Sequence, residues 1–159
     1  MAEGGQAYFL DTSALVKLYH QELGSDLVEA WAATPSIRLW VSDLARIELH
    51  SVFSRKVREG ELAQAALQRV LECFHEDILH RFQLVPLTPG LIERAIGFLI
   101  EHGQTHPLRT LDALQMASAL VVESPVLIFV TADKRLVATA SQVFPRVLNP
   151  EVQSEEQAR

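Results

Sequence analysis

The feature that most constrains the fold is the alternation of short β-rich runs with longer helical patterns. Four runs are rich in apolar and β-branched residues, and a weaker fifth follows near the end of the chain. They cover residues 7–10, 38–41, 83–87, 126–130 and 146–148. Strands that alternate with helices form βαβ units, in which helices cover both faces of a parallel sheet. The sequence therefore predicts a three-layer α/β/α fold.

Helical patterns fill the intervals between these runs. Apolar periodicity and capping residues predict helices over residues 12–20, 25–33, 43–58, 61–80, 89–102, 110–122 and 134–141. Gly60 separates the third and fourth helices with almost no linker. We therefore expect these two helices to form an antiparallel hairpin that projects from the core.

Composition indicates a single globular unit. The chain has 159 residues, of which 48% are hydrophobic and 21% charged, as is usual for one folded domain. We predict a domain over residues 1–149 and a polar, flexible tail over residues 150–159. The first six residues do not resemble a signal peptide, and no apolar run approaches the roughly 18 residues that a membrane span needs. These features predict a soluble protein.

The single cysteine, Cys73, excludes an internal disulfide and a zinc site built on several thiolates. It lies in an apolar helical pattern, so we predict a core position for it. A lone cysteine suits a reducing compartment, and we expect a cytoplasmic protein.

Two acidic residues directly follow predicted strands. Asp11 comes after the first strand and Asp133 after the fourth. Ligand sites of open parallel sheets lie beyond the carboxyl ends of the strands, so both acids would face one crevice if these strands were neighbours. Each residue also stands where a helix N-cap is expected, and capping alone would explain its presence.

Two further acids, Glu48 and Asp112, lie on predicted helices. Glu48 has a largely apolar stripe around it, so we expect a partly buried carboxylate, which needs a cationic partner or a metal. Asp112 lies in the first turn of its helix, on the inward face. Local roles stay open for both: Glu48 could pair with Arg55 or lie near Lys56, and Asp112 could stabilise the helix N-terminus.

The joint pattern of these acids is more specific than any one of them. Carboxylates that converge without lysine partners repel one another, and bound divalent cations relieve that repulsion. Oxygen ligands with retained water suit Mg²⁺, or Mn²⁺ in its place, better than zinc. The predicted metal ligands are Asp11, Glu48, Asp112 and Asp133.

Four short motifs, in this order, resemble the PIN domain, especially the VapC-like toxins of bacterial toxin-antitoxin pairs. They are Asp11-Thr12-Ser13-Ala14-Leu15, Leu44-Ala45-Arg46-Ile47-Glu48-Leu49, Leu111-Asp112-Ala113-Leu114 and Thr131-Ala132-Asp133. Each motif alone is weak. The resemblance nevertheless extends from residue 8 to about residue 148 and includes the order and spacing of the elements.

The resemblance implies a five-stranded parallel sheet of order 3-2-1-4-5 and an Mg²⁺-dependent endoribonuclease. It also implies frequent homodimerisation and a small neutralising antitoxin, which would occupy a groove by the hairpin and place an Arg or Lys in the acidic cluster. Asp11 and Asp112 would be the principal ligands, with Glu48 and Asp133 completing a set of four catalytic residues. Three hydroxyl residues would orient these carboxylates: Thr12, Ser13 and Thr131.

The net charge of -6 disfavours tight, non-specific binding of nucleic acid. Metal ions at the acids would offset this charge, and basic residues could line the approaches to the site. We predict weak, salt-sensitive binding of RNA. The candidate phosphate contacts are Lys17, Arg46, Arg55, Lys56, Arg58, Arg109, Lys134 and Arg135.

Two other functions compete with the nuclease prediction. A phosphatase of the haloacid-dehalogenase type also has an aspartate after its first strand, but it needs a second acid two residues later, where this chain has Ser13. The alternative that stays open is a catalytically inactive PIN-like domain, which binds a protein through the hairpin or binds RNA without cutting it. Metal-dependent cleavage would distinguish an enzyme from this binding module.

Overall fold

Five strands form one sheet in a computed structural model that describes residues 5–152. The strands are β1 (Gln6–Leu10), β2 (Ile37–Ser42), β3 (Gln83–Val85), β4 (Leu127–Val130) and β5 (Val147–Leu148). Their order in the sheet is β3-β2-β1-β4-β5. All four neighbouring pairs are parallel. The predicted topology is therefore confirmed.

Helices cover both faces of this sheet. They are α1 (Thr12–Leu15), α2 (Ser25–Ala33), α3 (Leu44–Arg58), α4 (Gln64–His80), α5 (Pro89–His102), α6 (Thr110–Ala119) and α7 (Lys134–Val143). A 3₁₀ turn, Val16–Leu18, continues α1. Among residues 5–152, no helix combines the length and apolar character needed to cross a membrane.

Some predicted boundaries are wrong by a few residues. The third strand ends at Val85 rather than residue 87, because Pro86 has no N–H to donate to the ladder. The fourth helix begins at Gln64 rather than residue 61. Gly60 has a φ of 78°, and the N–H groups of residues 61 and 62 both donate to the carbonyl of Lys56. These hydrogen bonds hold residues 61–63 in the turn that reverses the chain, so these residues are not part of the helix.

Two separate cores confirm the three layers. Successive strand residues point to opposite faces, so neighbours in β1 enter different cores. Phe9 packs with Phe129 and with residues of α5, α6 and α7 on one face. Tyr8 and Ile128 pack with residues of α1, α2, α3 and α4 on the other. Stacking of Phe129 on Phe144, with ring centroids 4.8 Å apart, fixes α7 against the sheet.

The helices α3 and α4 form the predicted hairpin. Phe53 of α3 and Phe74 of α4 anchor it in the second core. Phe74 is the one buried residue of α4, so most of that helix lies on the surface. The prediction that Cys73 occupies the core is wrong, since its side chain is exposed. Adjacent helix positions are 100° apart, and Phe74 occupies the inward position instead.

Contacts beyond residue 149 attach the end of the described chain to the domain. Glu151 accepts a hydrogen bond of 2.9 Å from the buried Nζ of Lys17. Gly24 lies so close to the Pro150 backbone that a Cβ would be 2.9 Å from its carbonyl carbon. The domain boundary at residue 149 stays a prediction, and residues 153–159 of the predicted tail lie outside the described residues.

Candidate active site

The carboxyl ends of β1 and β4 open into a cleft of about 410 Å³. These two strands are neighbours, and the strand order reverses between them, as the prediction of a shared crevice required. The cleft brings together all four of the predicted acidic residues: Asp11, Glu48, Asp112 and Asp133. The sequence prediction of their convergence is therefore confirmed.

Asp11 lies at the floor of the cleft and is 5% exposed. It caps α1, because its Oδ1 accepts from the backbone N–H of Ala14 at 3.0 Å. Hydroxyls supply its other contacts, with Ser13 Oγ donating to Oδ1 at 2.6 Å and Thr131 Oγ1 donating to Oδ2 at 2.7 Å. Asp11 is therefore a helix N-cap, as one alternative predicted. Hydroxyl groups also orient its carboxylate, as the resemblance implied.

Burial governs the charge state of Asp11. It raises the pKa to about 6, against the opposing effect of hydrogen bonds from Ser13, Thr131 and Ala14, and the nearby charge of Glu48 adds to the rise. No protein cation offsets this cost, since Asp11 forms no ion pair among residues 5–152. The carboxylate is thus held in position by neutral groups alone.

Glu48 is held in a similar way. Its Oε2 accepts from Thr12 Oγ1 at 2.7 Å and from Gln115 Nε2. Burial raises the pKa of Glu48, the two hydrogen bonds lower it, and the charge of Asp112 raises it further. The prediction that Thr12 orients a carboxylate is confirmed.

The alternative ion pair between Glu48 and Arg55 is wrong, whereas Lys56 does line the same cleft as Glu48. Arg55 lies 3.9 Å from Glu59, and Lys56 lies 2.7 Å from Glu61. Both cations therefore have carboxylate partners elsewhere, and Glu48 has no ion pair in the described part of the chain. Its charge remains available to a ligand in the cleft.

Asp112 lies in the first turn of α6 and stabilises its N-terminus, as one alternative predicted. Its Oδ2 accepts from the backbone N–H of Arg109 at 3.3 Å. Burial raises the pKa of Asp112, and the charge of Asp133 raises it further, whereas that hydrogen bond and the charges of Arg109 and Arg135 lower it. Like Asp11 and Glu48, Asp112 forms no ion pair with a described residue.

Asp133 differs from the other three acids, because a cation binds it. It caps α7 through the Arg135 N–H at 2.9 Å, and the Arg135 guanidinium donates to both of its oxygens at 3.3 and 3.1 Å. Burial alone would raise the pKa of Asp133, but the contacts with Arg135 outweigh burial and lower it. Asp133 is therefore the least available of the four to a metal.

Sequence reasoning missed Gln115, which lies one turn beyond Asp112 on α6. Its side chain is 3% exposed and lines the cleft. The available signal was a single amide within the otherwise apolar run Ala113, Leu114 and Met116. A buried amide needs hydrogen-bond partners, so its position on an inward face could have indicated a contact with the site.

The cleft offers a metal ion carboxylate oxygens as donors. Within residues 5–152, no three His, Cys, Asp or Glu side chains form a group that could hold a metal ion. Mg²⁺ does not require such a group, since proteins usually bind it through one or two carboxylates, with waters and substrate phosphates completing its shell. The carboxylates of Asp11, Glu48 and Asp112, which have no ion pair among the described residues, thus fit Mg²⁺ in donor chemistry.

Most of the cationic side chains that line the cleft form ion pairs with carboxylates of the protein. Lys17 is buried and bound to Glu22 and Glu151, so it is not free to contact phosphate as predicted. Arg109 is exposed and lines the cleft, and it has no ion pair among the described residues. Four of the predicted candidates do not line the cleft, namely Arg46, Arg58, Lys134 and Arg135.

A family comparison decides the classification. The family model described as PIN domain matches residues 8–142, a span that includes all four acids. The chain belongs to the PIN domain family. The resemblance that the four motifs carried is thereby confirmed.

A curated relative of this PIN domain carries a ribonuclease name. Ribonuclease VapC45 from Mycobacterium tuberculosis (strain CDC 1551 / Oshkosh) is 33% identical over 147 residues, which cover 89% of this chain and 97% of the relative. Similarity therefore extends over nearly the whole length of both proteins.

Solved structures share the fold. Mycobacterium tuberculosis VapC20, a sarcin-ricin loop cleaving toxin, matches with a TM-score of 0.62 at 17% identity, covering 82% of this chain and 93% of that one. A toxin-antitoxin complex from Klebsiella pneumoniae matches with a TM-score of 0.58 at 19% identity, covering 90% of this chain and 97% of that one. At these identities the likeness concerns the fold alone.

Because Asp11 is buried without an ion pair among the described residues, we predict that Asp11→Asn stabilises the metal-free protein. The pKa of Asp11 is about 6 in the folded protein, against 3.8 for an ordinary aspartate, so the folded state loses stability as pH rises through that interval. Asparagine does not ionise and still caps a helix. In EDTA at pH 7.5, urea denaturation should give Asp11→Asn an unfolding free energy about 1–3 kcal/mol above that of the unmodified protein. This difference should disappear as pH falls from 6 to 4.

The matched control is Asp26→Asn, at an exposed aspartate of α2. It should show no comparable gain at pH 7.5. A lower unfolding free energy for Asp11→Asn at pH 7.5, or a gain that does not change with pH, would contradict the account of Asp11.

Proposed function

We propose that this PIN domain is an Mg²⁺-dependent endoribonuclease that hydrolyses RNA phosphodiester bonds as the toxin of a toxin-antitoxin pair. The observation that carries the proposal is the set of three unpaired carboxylates, Asp11, Glu48 and Asp112, in one cleft. The ribonuclease name of the 33% identical relative supports RNA as the substrate. Such a role would place the protein in the cytoplasm, where its substrate is.

In this proposal, Asp11 and Asp112 are the principal Mg²⁺ ligands, with Glu48 and Asp133 completing the acidic set. Bound Mg²⁺, or Mn²⁺ in its place, would supply an activated water and stabilise the charge that develops on the phosphate. The chain's own contribution is positioning. Ser13 and Thr131 fix Asp11 by its two oxygens, so its carboxylate need not reorganise when the substrate enters.

An antitoxin partner would bind the groove between α3 and α4. This groove has a volume of about 740 Å³, and its apolar lining includes Leu67, Leu71 and Ile78. Amphipathic partner helices bind grooves of this kind through apolar side chains. A basic residue of the partner, placed in the acidic cleft, would neutralise the unpaired carboxylates and block metal binding.

A homodimer is the proposed assembly. The helix α5 presents Ile92, Ile96 and Ile100 at four-residue spacing, with exposed fractions of 44%, 44% and 70%. Exposed apolar stripes of this kind mark surfaces that another chain covers. A second copy of this chain could therefore pack against α5.

The alternative function is a catalytically inactive PIN-like module that binds protein or RNA. The observation in its favour is that no three acidic, His or Cys side chains among residues 5–152 form a ready metal-binding group. The two functions differ in one measurable property, which is metal-dependent hydrolysis of RNA.

Purified full-length protein should cleave RNA in Mg²⁺ or Mn²⁺ and lose that activity in EDTA. The substrates are a sarcin-ricin loop RNA and a mixed pool of structured RNAs, analysed by gel and end mapping. Asp11→Asn and Asp112→Asn each remove a charge that would bind the metal, so each should reduce the cleavage rate by about 100-fold or more.

The matched control, Asp26→Asn, should cleave at the rate of the unmodified protein. Cleavage that persists in EDTA or in both site variants would show a contaminating or metal-independent nuclease. Inactivity on every RNA, in both metals, would support the inactive binding module instead.

Arg109 should contact an RNA phosphate, because it is the cleft-lining cation that lacks an ion pair in the described chain. Arg109→Gln should weaken RNA binding similarly for different sequences. It should also lower the slope of log K against log salt concentration by about 0.7, the value for one phosphate contact on single-stranded RNA. Fluorescence anisotropy with Asp11→Asn protein, which should not cut the probe, measures both quantities.

The control for this charge is Arg38→Gln, at an exposed arginine on β2 that does not line the cleft. It should leave the salt slope unchanged. Equal slopes for the Arg109→Gln and Arg38→Gln variants would show that Arg109 does not bind phosphate.

A further inference from the structure

The buried amide of Gln115 joins three elements at the edge of the acidic cluster. Its Nε2 donates to Glu48 Oε2 on α3 and, at 3.1 Å, to Thr12 Oγ1 on α1. Its Oε1 is also buried and has no partner among the described residues. A buried amide oxygen without a partner costs free energy, and the two hydrogen bonds that Nε2 donates offset part of that cost.

The directions of these hydrogen bonds determine how the amide lies. Thr12 Oγ1 uses its single proton to donate to Glu48, at 2.7 Å, and therefore accepts from Gln115. Rotation of the amide by 180° would place Oε1 against the Glu48 carboxylate and the occupied side of the Thr12 hydroxyl. Both contacts would then join two acceptors, so the orientation with Nε2 toward Glu48 is required.

The two oxygens of Glu48 have different surroundings. Thr12 and Gln115 both donate to Oε2. Oε1 has no hydrogen-bond donor in the described part of the chain, and Glu48 lines the cleft. One oxygen is thus fixed by the protein, while the other remains available to a ligand.

The chemistry of an amide suits this task better than that of a cation. Lysine or arginine at position 115 would also fix Glu48, but its positive charge would cancel the carboxylate charge. A neutral N–H donor fixes the carboxylate and leaves its negative charge for a divalent cation. The same residues that restrain Glu48 therefore preserve its capacity to bind metal.

We propose that Gln115 is a positioning residue, which holds Glu48 by Oε2 so that Oε1 can bind the divalent cation of the cleft. The inference rests on the proposed metal-dependent function and adds a residue outside the four acids. It predicts that Gln115 affects metal affinity through Glu48 and through no other group.

The test is calorimetric titration of full-length protein with Mn²⁺ alone, without RNA. Gln115→Met has nearly the same size but no N–H donor, and it should bind Mn²⁺ about 10- to 100-fold more weakly. Ser118→Ala is the matched control, since Ser118 is buried one turn further along α6 and its Oγ forms a hydrogen bond of 3.0 Å with Ser42 Oγ. That control should keep its Mn²⁺ affinity even if it is less stable.

A double-mutant cycle separates positioning from a general structural role. Glu48→Gln and Glu48→Gln/Gln115→Met should bind Mn²⁺ equally, because Gln115 has no carboxylate left to position. Thermal unfolding in EDTA establishes that each variant is folded, and Gln115→Leu replaces Gln115→Met if the latter is not.

Three outcomes would overturn the inference, and they are distinguishable. A Gln115→Met affinity within about twofold of the unmodified protein would reject the positioning role alone. The same loss with and without the Glu48 carboxylate would assign Gln115 a structural role instead. Absence of Mn²⁺ binding to the unmodified protein would reject the metal-dependent function together with this inference.

Discussion

Burial of carboxylates without protein cations is the constraint on which the rest of the site depends. Each ionised carboxylate that leaves water carries a large free-energy cost, and neighbouring negative charges increase it. Neutral donors partly offset that cost: hydroxyls for Asp11, a hydroxyl and an amide for Glu48, and a backbone N–H for Asp112. They hold the carboxylates without cancelling their charge. The folded protein therefore concentrates negative charge in one cleft. A bound divalent cation would reduce the repulsion between these charges.

The parallel sheet explains how residues so distant in sequence reach the same place. The strands β1 and β4 lie side by side, and their carboxyl ends deliver Asp11 and Asp133 to one edge. Helices then add Glu48 and Asp112 from either side of that edge. Each of Asp11, Asp112 and Asp133 also stabilises a helix N-terminus, so local capping and membership of the site coexist. The two interpretations of each acid were never exclusive, because one carboxylate has two oxygens and several lone pairs.

Short sequence patterns predicted the strands and helices, because the residues of each element largely determine its conformation. The parallel sheet follows from βαβ alternation, and the helical hairpin follows from Gly60 between two helical patterns. The convergence of the four acids follows from their positions at strand ends and on inward helix faces. The strand order came from the resemblance to the PIN domain. Contacts between distant segments were not predictable in this way. Lys17 resembled a phosphate contact, yet it is neutralised by the nearby Glu22 and by Glu151, which lies 134 positions further along the chain. Gln115 was missed for the same reason, since its partners lie on other helices. The exposed Cys73 shows a second limit, because a shift of one position along a helix changes a residue from buried to exposed.

In the proposed function, the carboxylates of Asp11, Glu48 and Asp112 form a divalent-cation site. Crystals of the full-length protein grown with Mn²⁺ would test it through anomalous difference density, which locates the metal without reference to any activity. The account predicts a peak in the cleft, with Asp11 and Asp112 among its ligands and with waters completing the shell. Density at any other position, or none in the cleft at millimolar Mn²⁺, would contradict it.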